Sequence, residues 1–141
     1  MSSLSLGIVL LLAQLTAPGN ALPQVLTPEY KNAPARSGKM EVTVHFSLLP
    51  GFAISHTPPI NLKLTDTSGL RLEQKEFTTP DKDPKSKDEY YVDLPEIKIP
   101  VNALKPGVYT IPAKLTYFFC SKKDGFCSKQ SVDLKIPVRA E

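Results

Sequence analysis

The two cysteines are the residues of this sequence whose type and spacing suit chemistry. Cys120 and Cys127 bracket Ser121-Lys122-Lys123-Asp124-Gly125-Phe126, a stretch of turn-forming composition. On opposite arms of a β-hairpin their Cα atoms would come within the roughly 4.4 to 6.8 Å that a disulfide requires. Closing so small a ring is worth about 2.5 kcal/mol in the chain-entropy account, a modest gain for a domain able to build its own core. Two roles therefore stay open: a structural hairpin staple, and a pair that exchanges with other thiols. Lys122, Lys123 and Lys129 outweigh Asp124 around the pair. Positive charge favours thiolate over thiol, although exposed lysines are screened within about 8 Å at physiological salt.

Other chemistries find less support. His45 and His56 could join the cysteines as zinc ligands, but neither pair has the short spacing of a zinc knuckle, so no metal and no cofactor is expected. His45 falls on the polar side of its strand and reads as a solvated residue. His56, in Ile54-Ser55-His56-Thr57-Pro58-Pro59, sits in a loop able to approach the cysteine hairpin, where it is a candidate for tuning sulfur reactivity. No nucleophile elbow, phosphate-binding glycine loop or spaced carboxylate pair occurs, so hydrolase and kinase readings have no footing. The net charge of +3 comes from 17 basic and 14 acidic residues that are interspersed, which argues against a nucleic-acid surface.

The elements that must position the cysteines read as strands. Fourteen prolines in 141 residues suit short strands and turns better than long helices. Val42, Val44, Phe46 and Leu48 alternate with polar residues between Met40 and Leu48, which predicts a strand with one buried face. Ile60, Leu62 and Leu64 predict a second strand, and Thr67-Ser68-Gly69 a turn into a third at Leu70-Arg71-Leu72. Residues 79–89 are charged and proline-containing and read as a solvated loop. In the following stretch, Tyr90 to Val101, Pro95 and Pro100 confine pairing to edge or bulged positions. The longest predicted strand, Val108 to Phe119, turns Tyr109, Ile111, Ala113, Leu115, Tyr117 and Phe119 inward, and a last strand aligns Val132, Leu134, Ile136 and Val138. Six or seven strands without Trp predict an all-β, immunoglobulin-like antiparallel β-sandwich, with a small barrel as the alternative. By parity Cys120 shares its side with Lys114, Thr116 and Phe118 rather than with the core set, which puts its sulfur near the surface. Tyr90-Tyr91 and Phe118-Phe119 read as packing residues, with any exposed member available to a docking partner.

The N-terminus carries a separate message. An apolar run from Leu4 to Leu15, too short at about 18 Å to cross a bilayer, is followed by Gly19 and Ala21. Residues 1–21 are expected to be a signal peptide whose removal leaves no membrane span, in a periplasmic or secreted product and an oxidising compartment. Residues 22–39 show no alternation and read as an extended N-terminal arm, ahead of a domain over residues 40–141.

The run Tyr117-Phe118-Phe119-Cys120 with Gly125-Phe126-Cys127, ahead of Val132-Asp133-Leu134-Lys135-Ile136-Pro137-Val138, resembles the N-terminal periplasmic domain of the thiol:disulfide interchange protein DsbD and related stand-alone domains. Pro50-Gly51-Phe52 through Leu64 looks like its first strand pair, and Lys75-Glu76-Phe77 looks like its cap segment, so the likeness runs from about Met40 to Val138. Six residues lie between the cysteines, one more than in that domain, and Lys75 stands where its cap carries an acid. The resemblance implies a thiol:disulfide oxidoreductase that relays electrons between a membrane thiol-transport protein and thioredoxin-like partners. Cys127 would form the mixed disulfide, Cys120 would resolve it, and Phe77 would shield the sulfurs, with Phe126 and His56 as further cap or tuning candidates. A relay on this chain would draw on a separate donor. The competing expectation is a secreted binding or accessory module with a purely structural disulfide; the oligomeric state is not legible.

Overall fold

The computed structural model describes residues 23–34 and 38–141. The predicted signal peptide and residues 22 and 35–37 of the predicted arm lie outside the described residues. Among the described residues nine strands follow one another: β1 (Leu26–Pro34), β2 (Lys39–Leu48), β3 (Phe52–Ile54), β4 (Asn61–Leu64), β5 (Leu70–Leu72), β6 (Glu76–Thr78), β7 (Ile97–Ala103), β8 (Gly107–Ser121) and β9 (Cys127–Ala140). They form two antiparallel sheets, β1-β2-β7-β5 and β9-β8-β4-β6, with β3 and β4 end to end along one side of β8. The fold is an immunoglobulin-like antiparallel β-sandwich. Among the described residues no helix is long and apolar enough to cross a membrane.

Alternation dictates the layering. In β2, Met40, Val42, Val44 and Phe46 are buried and the residues between them are not. In β8, Ile111, Ala113, Leu115, Tyr117 and Phe119 are buried, and in β9 Leu134, Ile136 and Val138. Each fully buried Leu, Ile or Phe side chain contributes about 1.5–3 kcal/mol, so these inner faces supply the main force holding the two sheets together. Pro100 is accommodated because β5 covers only Val101 to Ala103 of β7, so β7 has a neighbour on one side alone where the donor is missing.

Three strands exceed the sequence expectation. β3 and β6 are three residues each, too short for a period-two pattern to register. β1 arises within the predicted arm and pairs along its whole length with β2, from Leu26 opposite Leu48 to Pro34 opposite Met40. Its start is held by polar side chains under the end of the sandwich. The Leu26 N–H donates to the buried Tyr117 hydroxyl (3.1 Å), the Val25 N–H to Gln130 Oε1 (3.1 Å), and Gln130 Nε2 to the Pro23 carbonyl (3.0 Å). The Tyr117 hydroxyl donates in turn to Gln130 Oε1.

Candidate functional site

Cys120 closes β8 and Cys127 opens β9, directly opposite each other in a ladder that runs back to Gly107 opposite Ala140. The intervening turn is closed by Ser121, whose N–H donates to the Phe126 carbonyl (2.8 Å) and whose carbonyl accepts from Gly125 N–H (2.9 Å). Ser121 Oγ accepts from the Asp124 N–H (3.1 Å), and Gly125 takes φ +75°, a conformation that favours glycine. The bond from Ser121 to Phe126 makes that pair a hydrogen-bonded one, so Cys120 and Cys127 fall in the neighbouring non-hydrogen-bonded position, where opposed side chains lie closest. The two are joined by a disulfide with Cα atoms 4.0 Å apart, slightly nearer than the range anticipated from hairpin geometry.

Strand parity sends both sulfurs to the outer face of the sheet. Phe119 and Ser121 on either side of Cys120 are buried, whereas Cys120 is half-buried and Cys127 is exposed. On that outer face the disulfide lines a groove of about 320 Å³. Phe118 and Lys129, opposite each other two pairs along the ladder and so on the same face, extend the floor. Thr57 and Pro58, joined by a cis peptide bond, and Glu89 complete the rim. Glu89 arrives because residues 54–56 pair with 89–91: His56 N–H donates to the Glu89 carbonyl (2.8 Å) and Tyr91 N–H to the Ile54 carbonyl (2.9 Å). No sequence signal pairs those two segments. Phe118 was legible, since it stands two residues before Cys120 in the same strand.

The remaining sequence-predicted site residues are not gathered at the sulfurs. Phe77 lies in β6 opposite Leu62, which is itself opposite Leu115, and its side chain belongs to the core. Cys120 lies five positions beyond Leu115 on β8, about 17 Å of strand, and the two side chains leave opposite faces. A cap over the disulfide by Phe77 does not fit this placement. Lys75, beside it, pairs with Asp66 at 2.6 Å. Phe126 stays exposed in the turn, with one edge of its ring stacked against buried Phe119 at 6.1 Å at the end of the core. Phe52 takes the other flank of Phe119 at 5.7 Å.

His56 flanks the groove without facing it. The His56 loop does reach the hairpin, through Thr57 and Pro58, but its ring is turned into the neighbouring loop. Nε2 donates to the Asp88 carbonyl (2.9 Å), Nδ1 lies 3.0 Å from Thr57 Oγ1, and the ring packs edge-on against Tyr91 at 5.5 Å. That loop is held by carboxylates. Asp83 accepts from the N–H groups of Asp93, Lys85 and Val92, and Asp88 from the Tyr90 N–H and the Ser86 hydroxyl. These bonds hold both carboxyl groups below the usual aspartate value, led by the Asp93 N–H for Asp83 and by the Tyr90 N–H for Asp88. Burial pushes the Tyr91 hydroxyl up.

His45 is exposed on the other sheet and pairs with Glu96 at 2.9 Å, away from the cysteines. Among the described residues no group of three or more His, Cys, Asp or Glu side chains is placed to hold a metal ion. The site is thus a solvent-facing disulfide bordered by half-buried Phe118 and by Lys129 on the sheet, and by Thr57, Pro58 and Glu89 on the neighbouring loops.

No protein-family model matches the chain, and no curated protein matches it. Among solved structures the chain is similar to the yeast GGA1_GAE domain, at 16% identity over 82% of this chain and 96% of that one, with a TM-score of 0.43.

Proposed function

We propose that this protein is an exported thiol-disulfide exchange domain, of the kind found at the N-terminus of DsbD, that passes electrons between thioredoxin-like or membrane thiol-transport partners through Cys120 and Cys127. The observation that carries the reading is the outward placement of the disulfide, with Cys127 exposed and Cys120 half-buried in a groove. A staple needs only to close the hairpin; a reactive bridge must also be approached in line by an incoming sulfur.

The step balances within the two proteins. A thiolate of a dithiol partner attacks Cys127 Sγ, the more exposed sulfur, forming the mixed disulfide while Cys120 leaves as a thiolate and takes a proton. The partner's second thiol, once deprotonated, attacks its own sulfur in that mixed disulfide and releases Cys127 as a thiolate that is protonated in turn. This chain gains two electrons and two protons, and the partner becomes a disulfide. Running the sequence backwards delivers the electrons to an oxidised acceptor. Lys129 beside the bridge favours the thiolate forms, within the limits of solvent screening.

The test joins a potential to a trap. The exchange reading expects a reduction potential well above about −300 mV and a covalent partner adduct with the Cys120→Ala variant, whose Cys127 cannot be resolved. A potential below that value together with no trapped adduct overturns it, leaving a secreted immunoglobulin-like module with a structural disulfide.

A further inference from the structure

We infer that β9 is a pairing edge for a second copy of this chain, in an antiparallel β9–β9 contact centred on Ser131. The ladder register fixes which backbone groups are free. Phe126 is in a hydrogen-bonded pair with Ser121, so the even residues of β9 bond to β8 and the odd ones point away from it. Asn32 independently marks the same direction: its side chain donates to the Pro137 carbonyl (3.3 Å) and accepts from the Arg139 N–H (2.8 Å). Beyond that clamp, Cys127, Lys129, Ser131, Asp133 and Lys135 keep their N–H and C=O groups without a backbone partner among the described residues, and all five are exposed.

The other long edge is interrupted, with Tyr30 and Asn32 its only unaccounted outward donors among the described residues. On β1 the outward-pointing positions are the even ones, because Val25 is bonded to Leu49. Leu26 gives its N–H to Tyr117, and Pro28 and Pro34 have none to give. β5 and β6, with three residues each, offer almost nothing to a partner. A fold that interrupts one long edge and clamps two of the seven outward positions of the other, yet leaves about 27 Å of strand open, presents a template for strand addition.

Charge selects the occupant. With Ser131 on a two-fold axis, odd residues face odd residues and every outward group meets its counterpart. Lys129 then faces the partner's Asp133, and Asp133 faces the partner's Lys129, on the outer face. Opposite charges at directly opposed positions stabilise an antiparallel pair, and a two-fold contact makes each such pair twice. The disulfides sit at the two ends of this contact with their outer faces uncovered, so pairing and thiol exchange are compatible but independent.

Sedimentation velocity on the oxidised protein is expected to show a reversible monomer–dimer equilibrium between low micromolar and millimolar concentrations. Ser131→Pro removes a donor that points away from β8, so it should leave the circular dichroism spectrum unchanged and abolish the dimer. Lys129→Asp and Asp133→Lys should each weaken dimerisation about three- to thirtyfold, and the double variant should restore it. A wild-type protein that stays monomeric throughout, a dimer indifferent to Ser131→Pro, or a double variant no better than either single one overturns the inference.

Discussion

Phe119 and Cys120 are chain neighbours that face opposite ways: Phe119 is fully buried between the rings of Phe52 and Phe126, and Cys120 is bonded to Cys127 on the solvent side of the same sheet. The core therefore ends one residue from the sulfurs, and opening the bridge exposes no apolar side chain of the sandwich interior. Chemistry at the disulfide is separable from the packing that holds the domain together.

That separation predicts a mild cost for losing the bridge. The Cys120→Ala, Cys127→Ala double variant should fold with the same circular dichroism spectrum and lose about 2–3 kcal/mol in urea titration. After reduction of the wild-type protein, exposed Cys127 should react with iodoacetamide faster than half-buried Cys120, as read by mass spectrometry of the peptides.

Tyr117→Phe should destabilise the protein by about 1–3 kcal/mol. The hydroxyl accepts from the Leu26 N–H and donates to Gln130, and without it a buried N–H loses its acceptor. Amide exchange should rise first at Leu26, because Val25 and Pro23 remain tied to Gln130.

The loop from Asp83 to Asp93 should loosen in acid. Hydrogen bonds to the charged form hold Asp83 and Asp88 below the ordinary aspartate value. The order they confer is present above the ordinary value and is lost as pH falls through the lowered ones. Exchange at the amides of Val92 and Asp93 should accelerate below about pH 4, and the Asp88 anchor of His56 should weaken with it. Unchanged protection of those two amides down to pH 2, on the order of the lowest accessible value, would contradict this.

Gly69→Ala should cost about 1–3 kcal/mol. Gly69 has φ +90°, and an added Cβ would come within 2.5 Å of the Tyr109 ring. Both the turn into β5 and the Tyr109 hydroxyl bond to the Lys105 carbonyl (2.7 Å) would have to shift, which a lowered urea midpoint would register.

Residue alternation is enough to set the layers and the direction of the sulfurs. Period two is a local property of extended chain, so Val42 to Leu48, Leu62 and Leu64, Ile111 to Phe119 and Leu134 to Val138 declare their buried faces without reference to any partner. The same parity placed Cys120 beside Phe118 and away from the core. The surroundings of the bridge depend on long-range contacts. Strand β1 is specified by its nine-residue pairing with β2 and by side chains more than ninety residues away, Tyr117 and Gln130, rather than by any pattern of its own. Phe77 and Phe126 carry the aromatic character of a cap, yet pairing with Leu62 takes Phe77 into the core, and Phe126 stays exposed in the turn with its ring edge-on to Phe119. Glu89 reaches the groove, and His56 turns from it, through pairing between residues 54–56 and 89–91. Such contacts join segments far apart in the chain, and long-range pairing depends on the shape of both partners at once, which no local spacing encodes.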